Sequence, residues 1–326
     1  MIVLKNGIIN DEETIREIIA LTNNPRYIMA TRRALINREQ LTEDDVMFIT
    51  AMAAGEAIKA IIPERQYKRL IIRLWPEEQR EGSQGYFYEK NGKYVVTYEQ
   101  GNKEFFMNRN YSFLNKIQCV FTFAHELYHV KQEMDAKDEK ITFDSFMYCL
   151  EQSLHQNVPG FYKKEYENLY MEASAEGIGI VKATDFLEKY GVLDELMNDP
   201  MLEKMGLKDK NKDQFRKLLF NSFKENHHVF ANDEELKEYI KRLLKVLRDN
   251  IHTFSKKYDE DVFVKYPILK YLINPRTGEL ESPERLQELL DNTYMEEENS
   301  DTKDKRRLLK ILKELSIERQ QSFSQK

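Results

Sequence analysis

Cysteine is nearly missing from this chain: Cys119 and Cys149 are the two in 326 residues. Two thiols cannot staple a small secreted scaffold. Both fall in apolar runs of helical texture, which predicts buried thiols rather than a disulfide framework. Glycine (12) and proline (8) are scarce as well, which argues against a many-turned β fold and for long helices. Positive charge is not in excess. With 50 Lys and Arg against 56 Asp and Glu, the formal charge is −6, so no global attraction to nucleic acid or to an anionic membrane is expected. No apolar run approaches the roughly 20 residues of a membrane span. The opening "MIVLKNGIINDEE" brings acids in too early for the apolar core of a signal peptide. These absences predict a cytoplasmic protein. They leave its oligomeric state open.

What is present is a chain with 41% hydrophobic and 33% charged residues, enough apolar matter for a real core beneath solvated helix faces. Residues 11–21 and 42–62 read as helices, the second opened by "LTEDD" and stopped by Pro63. Between Tyr67 and Asn108 the texture turns β-prone, in "YKRLIIRLW", "GYFYEK", "KYVVTYEQ" and "KEFFMN", with Asn91-Gly92 as a hairpin signal. A small antiparallel sheet of three or four strands is expected there. Helices follow, over about 112–134, 141–155 and 162–189. Beyond Gly191 the patterns remain helical, with "NTYMEEENSDTKDK" read as a mobile linker before a last amphipathic helix that carries Leu308, Leu309, Ile311, Leu312 and Leu315 on its apolar side. The fold class expected is α+β and predominantly helical, with a first domain over 1–190 and a helical region over 191–326. That second region would form another wall of a cleft or a partner-binding domain.

The chemistry concentrates in "FTFAHELYHVKQ", residues 121–132. On a helix, positions four apart share a face, so His125 and His129 can each turn a ring nitrogen to one ion. Glu126 is rotated by about 100° from His125. It can meet a water beside that ion without binding the ion itself. Zinc lowers the pKa of such a water to about 7, and a neighbouring carboxylate can take its proton. This is the reason for His-Glu-x-x-His at this spacing. The plainer account is two histidines on an ordinary buried helix. The flanking residues are apolar nearly all round, however, and bare histidines beside a glutamate in a core are costly without a partner. One Zn2+ ion supplies one.

"TFAHELYHV" resembles the active-site helix of zincin metallopeptidases. A second stretch, "LYMEASAEGIG" over 169–179, resembles the Glu-x-x-Ala-Glu motif of compact bacterial gluzincin-like proteins, including relatives of repressor-cleaving phage and mobile-element peptidases. By that resemblance Glu172 is the third metal ligand. Glu176 then accepts a hydrogen bond from the far nitrogen of a ligating histidine. The small residues Ala173, Ser174, Ala175, Gly177 and Gly179 would let the two helices approach closely. Asp135 stands where metzincins place their third ligand. Gln132 replaces the glycine that bends their chain, so a straight helix would carry Asp135 away from the metal.

The transition-state donor stays open among Tyr166, Tyr170, His227 and His228, with His155 and His252 as further histidines. The resemblance implies a zinc peptidase, more readily an endopeptidase, acting on protein or peptide substrates. Glu126 would be its general base, and a sheet edge ("KEFFMN" or "KYVVTYEQ") would lie beside the cleft. The competing reading is a regulatory or binding protein on a zincin scaffold with little or no proteolysis. A third is a zinc hydrolase of a non-peptide amide.

Overall fold

The computed structural model describes residues 8–9, 11–36, 43–74, 85–98, 113–198, 211–223, 232–254 and 262–324. They are mostly helical, with one small mixed sheet and one two-residue ladder. The chain forms two compact units, each made of two stretches: Met1–Lys131 with Ser174–Glu225, and Gln132–Ala173 with Asn226–Lys326. This division is interleaved and does not follow the single cut near residue 190 that the change of texture suggests.

In the first unit, β1 (Ile8–Ile9) precedes α1 (Glu12–Leu21), α2 (Pro25–Ile36) and α3 (Glu43–Ile61). Asp11 caps α1, accepting from the Thr14 backbone N–H at 2.7 Å. Helix α2 is not among the expected elements. β2 (Leu70–Leu74), β3 (Gly85–Lys90) and β4 (Lys93–Tyr98) complete a four-stranded sheet in the order β1-β2-β4-β3. The Asn91-Gly92 hairpin is present, with φ of 54° and 73° at its two central residues, as a type I′ turn requires.

The sheet is mixed, not antiparallel, because β2 runs parallel to β4 from Leu70↔Tyr94 to Leu74↔Tyr98. Either arm of a tight hairpin can dock on β2. Here the more apolar arm takes the centre: Tyr94, Val95, Val96 and Thr97 are all buried, while β3 is half-buried and exposed at Glu89 and Lys90. "KYVVTY" is therefore a central strand, and among the described residues β3 is one edge of the sheet and β1 the other. "KEFFMN" lies outside the described residues.

Helix α4 (Phe113–Lys137) carries the His-Glu-x-x-His motif. It continues unbroken past Gln132, as the lack of a glycine predicts. Gly85, at the start of β3, lies against it. A Cβ there would come within 2.5 Å of Thr122 Cγ2 and 3.2 Å of Glu126 Cγ.

In the second unit, α5 (Phe143–Asn157) opens with a Thr142–Ser145 capping box. It is buried over most of its surface, with Phe146, Met147, Cys149, Leu150 and Leu154 fully enclosed and His155 exposed. The expected helix over 162–189 is interrupted. A short α6 (Phe161–Glu165) gives way to a 3-10 turn (Tyr166–Asn168), and α7 (Tyr170–Lys189) then begins afresh. Tyr162, Tyr166, Leu169, Ala173 and Ile180, which one unbroken helix would hold in an apolar stripe, are split accordingly: Leu169 is fully buried and Tyr166 is exposed.

Short helix α8 (Leu193–Met197) and α9 (Lys212–Phe223) belong to the first unit. The rest of the second unit comprises α10 (Asp233–Phe254), α11 (Val262–Lys265), α12 (Ile268–Leu272), the ladder β5 (Ile273–Asn274) with β6 (Glu279–Leu280), α13 (Pro283–Thr293) and α14 (Ser300–Ser324). The core packs α5 against α10, α12 and α14, and the apolar side of α14 is buried as its pattern predicts. The expected mobile linker is instead a short turn and the first turns of α14. Arg306 pins it, donating to the Thr293 carbonyl at 2.8 Å with its guanidinium over the Tyr294 ring. Among the described residues no helix is long and apolar enough to cross a membrane.

Candidate metal centre

The helical period of α4 puts His125 and His129 on one face. Their Nε2 atoms lie 3.1 Å apart, and the rings meet edge to face at 4.7 Å between centroids. Phe121 stands beside His125 and Phe87 of β3 lies over His129, each at 6.0 Å between centroids. These aromatic walls thin the water around the two nitrogens. His129 is buried and His125 half-buried.

Glu172 is the third residue of α7 and is buried. One ligand atom each from His125, His129 and Glu172 lies within 4.8 Å of the others. Helix α4 runs over residues 113–137 and α7 over residues 170–189. Their close approach is visible at Gly179, where a Cβ would fall 2.8 Å from the Phe121 ring and 3.1 Å from the Phe121 carbonyl oxygen. Of the two glycines expected to permit this, Gly179 is at the contact. Gly177 faces open space.

The donor set suits a zinc ion. Two borderline imidazole nitrogens and one hard carboxylate oxygen are a donor set that zinc accepts, and three protein ligands leave a fourth position for water or substrate. The nitrogens' 3.1 Å separation is close to the roughly 3.3 Å edge of a tetrahedron with bonds of about 2.0–2.1 Å.

Among the described residues, no other acid or histidine candidate joins the three clustered ligand atoms. Glu126 is half-buried, beside Gly85 at the start of β3. Glu176, one turn beyond Glu172, is half-buried and is not among the three clustered ligand atoms. Asp135 stays on the straight helix, its carboxylate 3.8 Å from Lys140 Nζ. The Tyr170 hydroxyl donates to Asp144 at 2.7 Å. Tyr166 is exposed and packs on the Tyr162 ring. His252 is exposed on α10. His227 and His228 lie outside the described residues.

Two residues near Glu172 escape a reading of the sequence. Tyr162 of α6 donates its hydroxyl to Glu172 Oε1 at 2.9 Å, and its ring is stacked on His155 at 4.4 Å. Burial holds the His155 imidazole below its usual pKa, partly offset by the Glu172 carboxylate. On one uninterrupted helix, ten residues would turn Tyr162 about 80° from the Glu172 face. The break at 166–168 brings it back, so no periodicity could have found it. The second residue is Glu151, fully buried in α5. It accepts from the backbone N–H of Tyr170 at 2.8 Å, from that of Met171 at 2.9 Å and from the Tyr239 hydroxyl at 2.6 Å. Burial pushes its carboxyl up to about 7; these three hydrogen bonds pull the other way, and the Glu172 charge adds to the rise. A lone acid within "FMYCLEQSL" is the signal that could have found it.

No family model, curated protein or solved structure matches this chain. Its chemistry is therefore read from its own residues.

Proposed function

We propose that the chain is a zinc-dependent metallopeptidase of the zincin type, with His125, His129 and Glu172 as ligands and Glu126 as general base. The observation that carries this is the convergence of those three ligand atoms within 4.8 Å of one another. Two come from a His-Glu-x-x-His helix and one from a separate helix. A structural metal site has no use for a base beside an open coordination position, and Glu126 occupies that place in the motif.

Zinc held by these ligands supplies Lewis-acid polarisation of a carbonyl and an acidified water. The chain's residues do the rest. Glu126 accepts the proton of the attacking water and hands it to the leaving amine. Phe121 and Phe87 limit access of bulk water to the histidines. An extended peptide would add beside β3, the described edge strand that lies against α4, through backbone hydrogen bonds. That puts the substrate at the strand that starts against Glu126. An endopeptidase reading follows from an edge that grips backbone on both sides of the scissile bond.

The test pairs metal analysis with cleavage of a mixture-based peptide library read by mass spectrometry. Glu126→Gln should keep one equivalent of zinc and lose at least about 100-fold in cleavage rate. Glu172→Ala should lose the zinc. Zinc bound equally by Glu172→Ala and the native chain, or unchanged cleavage by Glu126→Gln, would refute the reading.

A further inference from the structure

Glu172 is the third residue of a helix whose start is held from elsewhere in the second unit. The first N–H groups of any helix lack partners within it, and Leu169, just before α7, has no side-chain oxygen to offer. Glu151 does this work from α5. Its two oxygens take the N–H groups of Tyr170 and Met171 at 2.8 and 2.9 Å, and its negative charge suits the positive end of the helix dipole. Glu151 is in turn held by Tyr239 of α10, whose hydroxyl donates to Oε1 at 2.6 Å.

One turn on, Arg242 of α10 pairs with Glu165 at 2.7 Å, with its guanidinium over the Tyr239 ring at 5.2 Å. Glu165 closes α6 and Tyr170 opens α7. Helix α10 therefore fixes both ends of the 166–169 break, and that break decides where the Glu172 side chain emerges.

Resting on the zinc reading above, we infer that Glu151 and Tyr239 are positioning residues for the Glu172 carboxylate, and that α10 thereby sets the metal affinity of the site. The helical region after residue 190 is on this account part of the metal centre's support rather than a separate appendage. Groups that orient a metal ligand from behind typically change affinity by about 10–100-fold when removed. Tyr239→Phe keeps the ring and the Arg242 stacking and deletes one donor. Glu151→Gln keeps the shape and replaces one acceptor of an amide N–H by a donor.

The experiment measures Zn2+ affinity of the folded full-length chain by competition with a chromophoric chelator. It also records the visible spectrum of the Co2+-loaded protein, which reports ligand geometry. Tyr239→Phe should weaken Zn2+ binding about 10-fold and Glu151→Gln by at least as much, both with altered Co2+ bands. Lys245→Ala, on the exposed side of α10, should behave as native. Native Zn2+ affinity and native Co2+ bands in either Tyr239→Phe or Glu151→Gln overturn the inference, even if the melting temperature falls. That result leaves the zinc reading intact as long as Glu172→Ala loses the metal. Retention of zinc by Glu172→Ala defeats the zinc reading itself.

Discussion

At the scale of single residues, the site is a set of buried polar groups that each need a partner. The Tyr162 hydroxyl restrains one oxygen of Glu172 at 2.9 Å. Tyr162→Phe keeps the stacking on His155 and frees that oxygen, so Zn2+ affinity should fall about 10-fold with no loss of helical content. Isothermal titration alongside circular dichroism measures both. Glu151 adds a pH dependence. Its folded pKa of about 7 lies above the ordinary 4.5, so between those values the folded chain holds a proton that the unfolded chain has released. The contribution of this carboxyl to stability thus declines as pH rises from about 4.5 to about 7 and is least above that. The span is on the order of 3 kcal/mol. Denaturation at pH 5 and pH 8, in chelator so that Glu172 keeps its charge, should show a smaller difference for Glu151→Gln than for the native chain. His125 and His129 were legible as a pair because a four-residue spacing puts both rings on one helix face. Glu172 was legible only through resemblance. Tyr162 and Tyr239 were not legible at all, since their roles depend on a helix break and on an 88-residue separation from Glu151.

At the scale of elements, local signals held and non-local pairings did not. Asp11, Pro63 and Asn91-Gly92 act within a few residues of themselves and mark real ends and turns. The parallel pairing of β2 with β4 depends on which hairpin arm a distant strand meets, and no local pattern encodes that choice. Gly85 shows how closely β3 is fitted to α4. A methyl group added at this position would sit 2.5 Å from Thr122 Cγ2 and 3.2 Å from Glu126 Cγ. Gly85→Ala should therefore cost about 1–3 kcal/mol as strand and helix move apart. Adding Thr122→Ser removes the closest methyl and should recover part of that loss. Urea midpoints of the single and double variants give the comparison, and an unchanged midpoint for Gly85→Ala would show that the strand can yield freely.

At the scale of the whole molecule, the interleaved units explain why a cut near residue 190 misleads. Gly191 does end α7, with a φ of 66°, so the local stop is genuine. Yet α5 finds its cover in α10, α12 and α14. A chain ending at residue 190 would keep all three proposed ligands and expose Phe146, Met147, Leu150 and Leu154. It should bind a hydrophobic dye, lose its cooperative melt and hold Zn2+ far more weakly than the full chain. A fragment that melts cooperatively with native zinc affinity would contradict this.

The same enclosure of α5 has a bearing on how the protein is made. Residues 143–157 leave the ribosome before the helices that will shield them, at 233–254, 268–272 and 300–324. At about 5–20 residues per second, their oily surfaces wait on the order of ten seconds for that shield. Holdase chaperones should therefore cross-link to nascent chains that carry α5 but not yet α14, and release them once α14 has emerged.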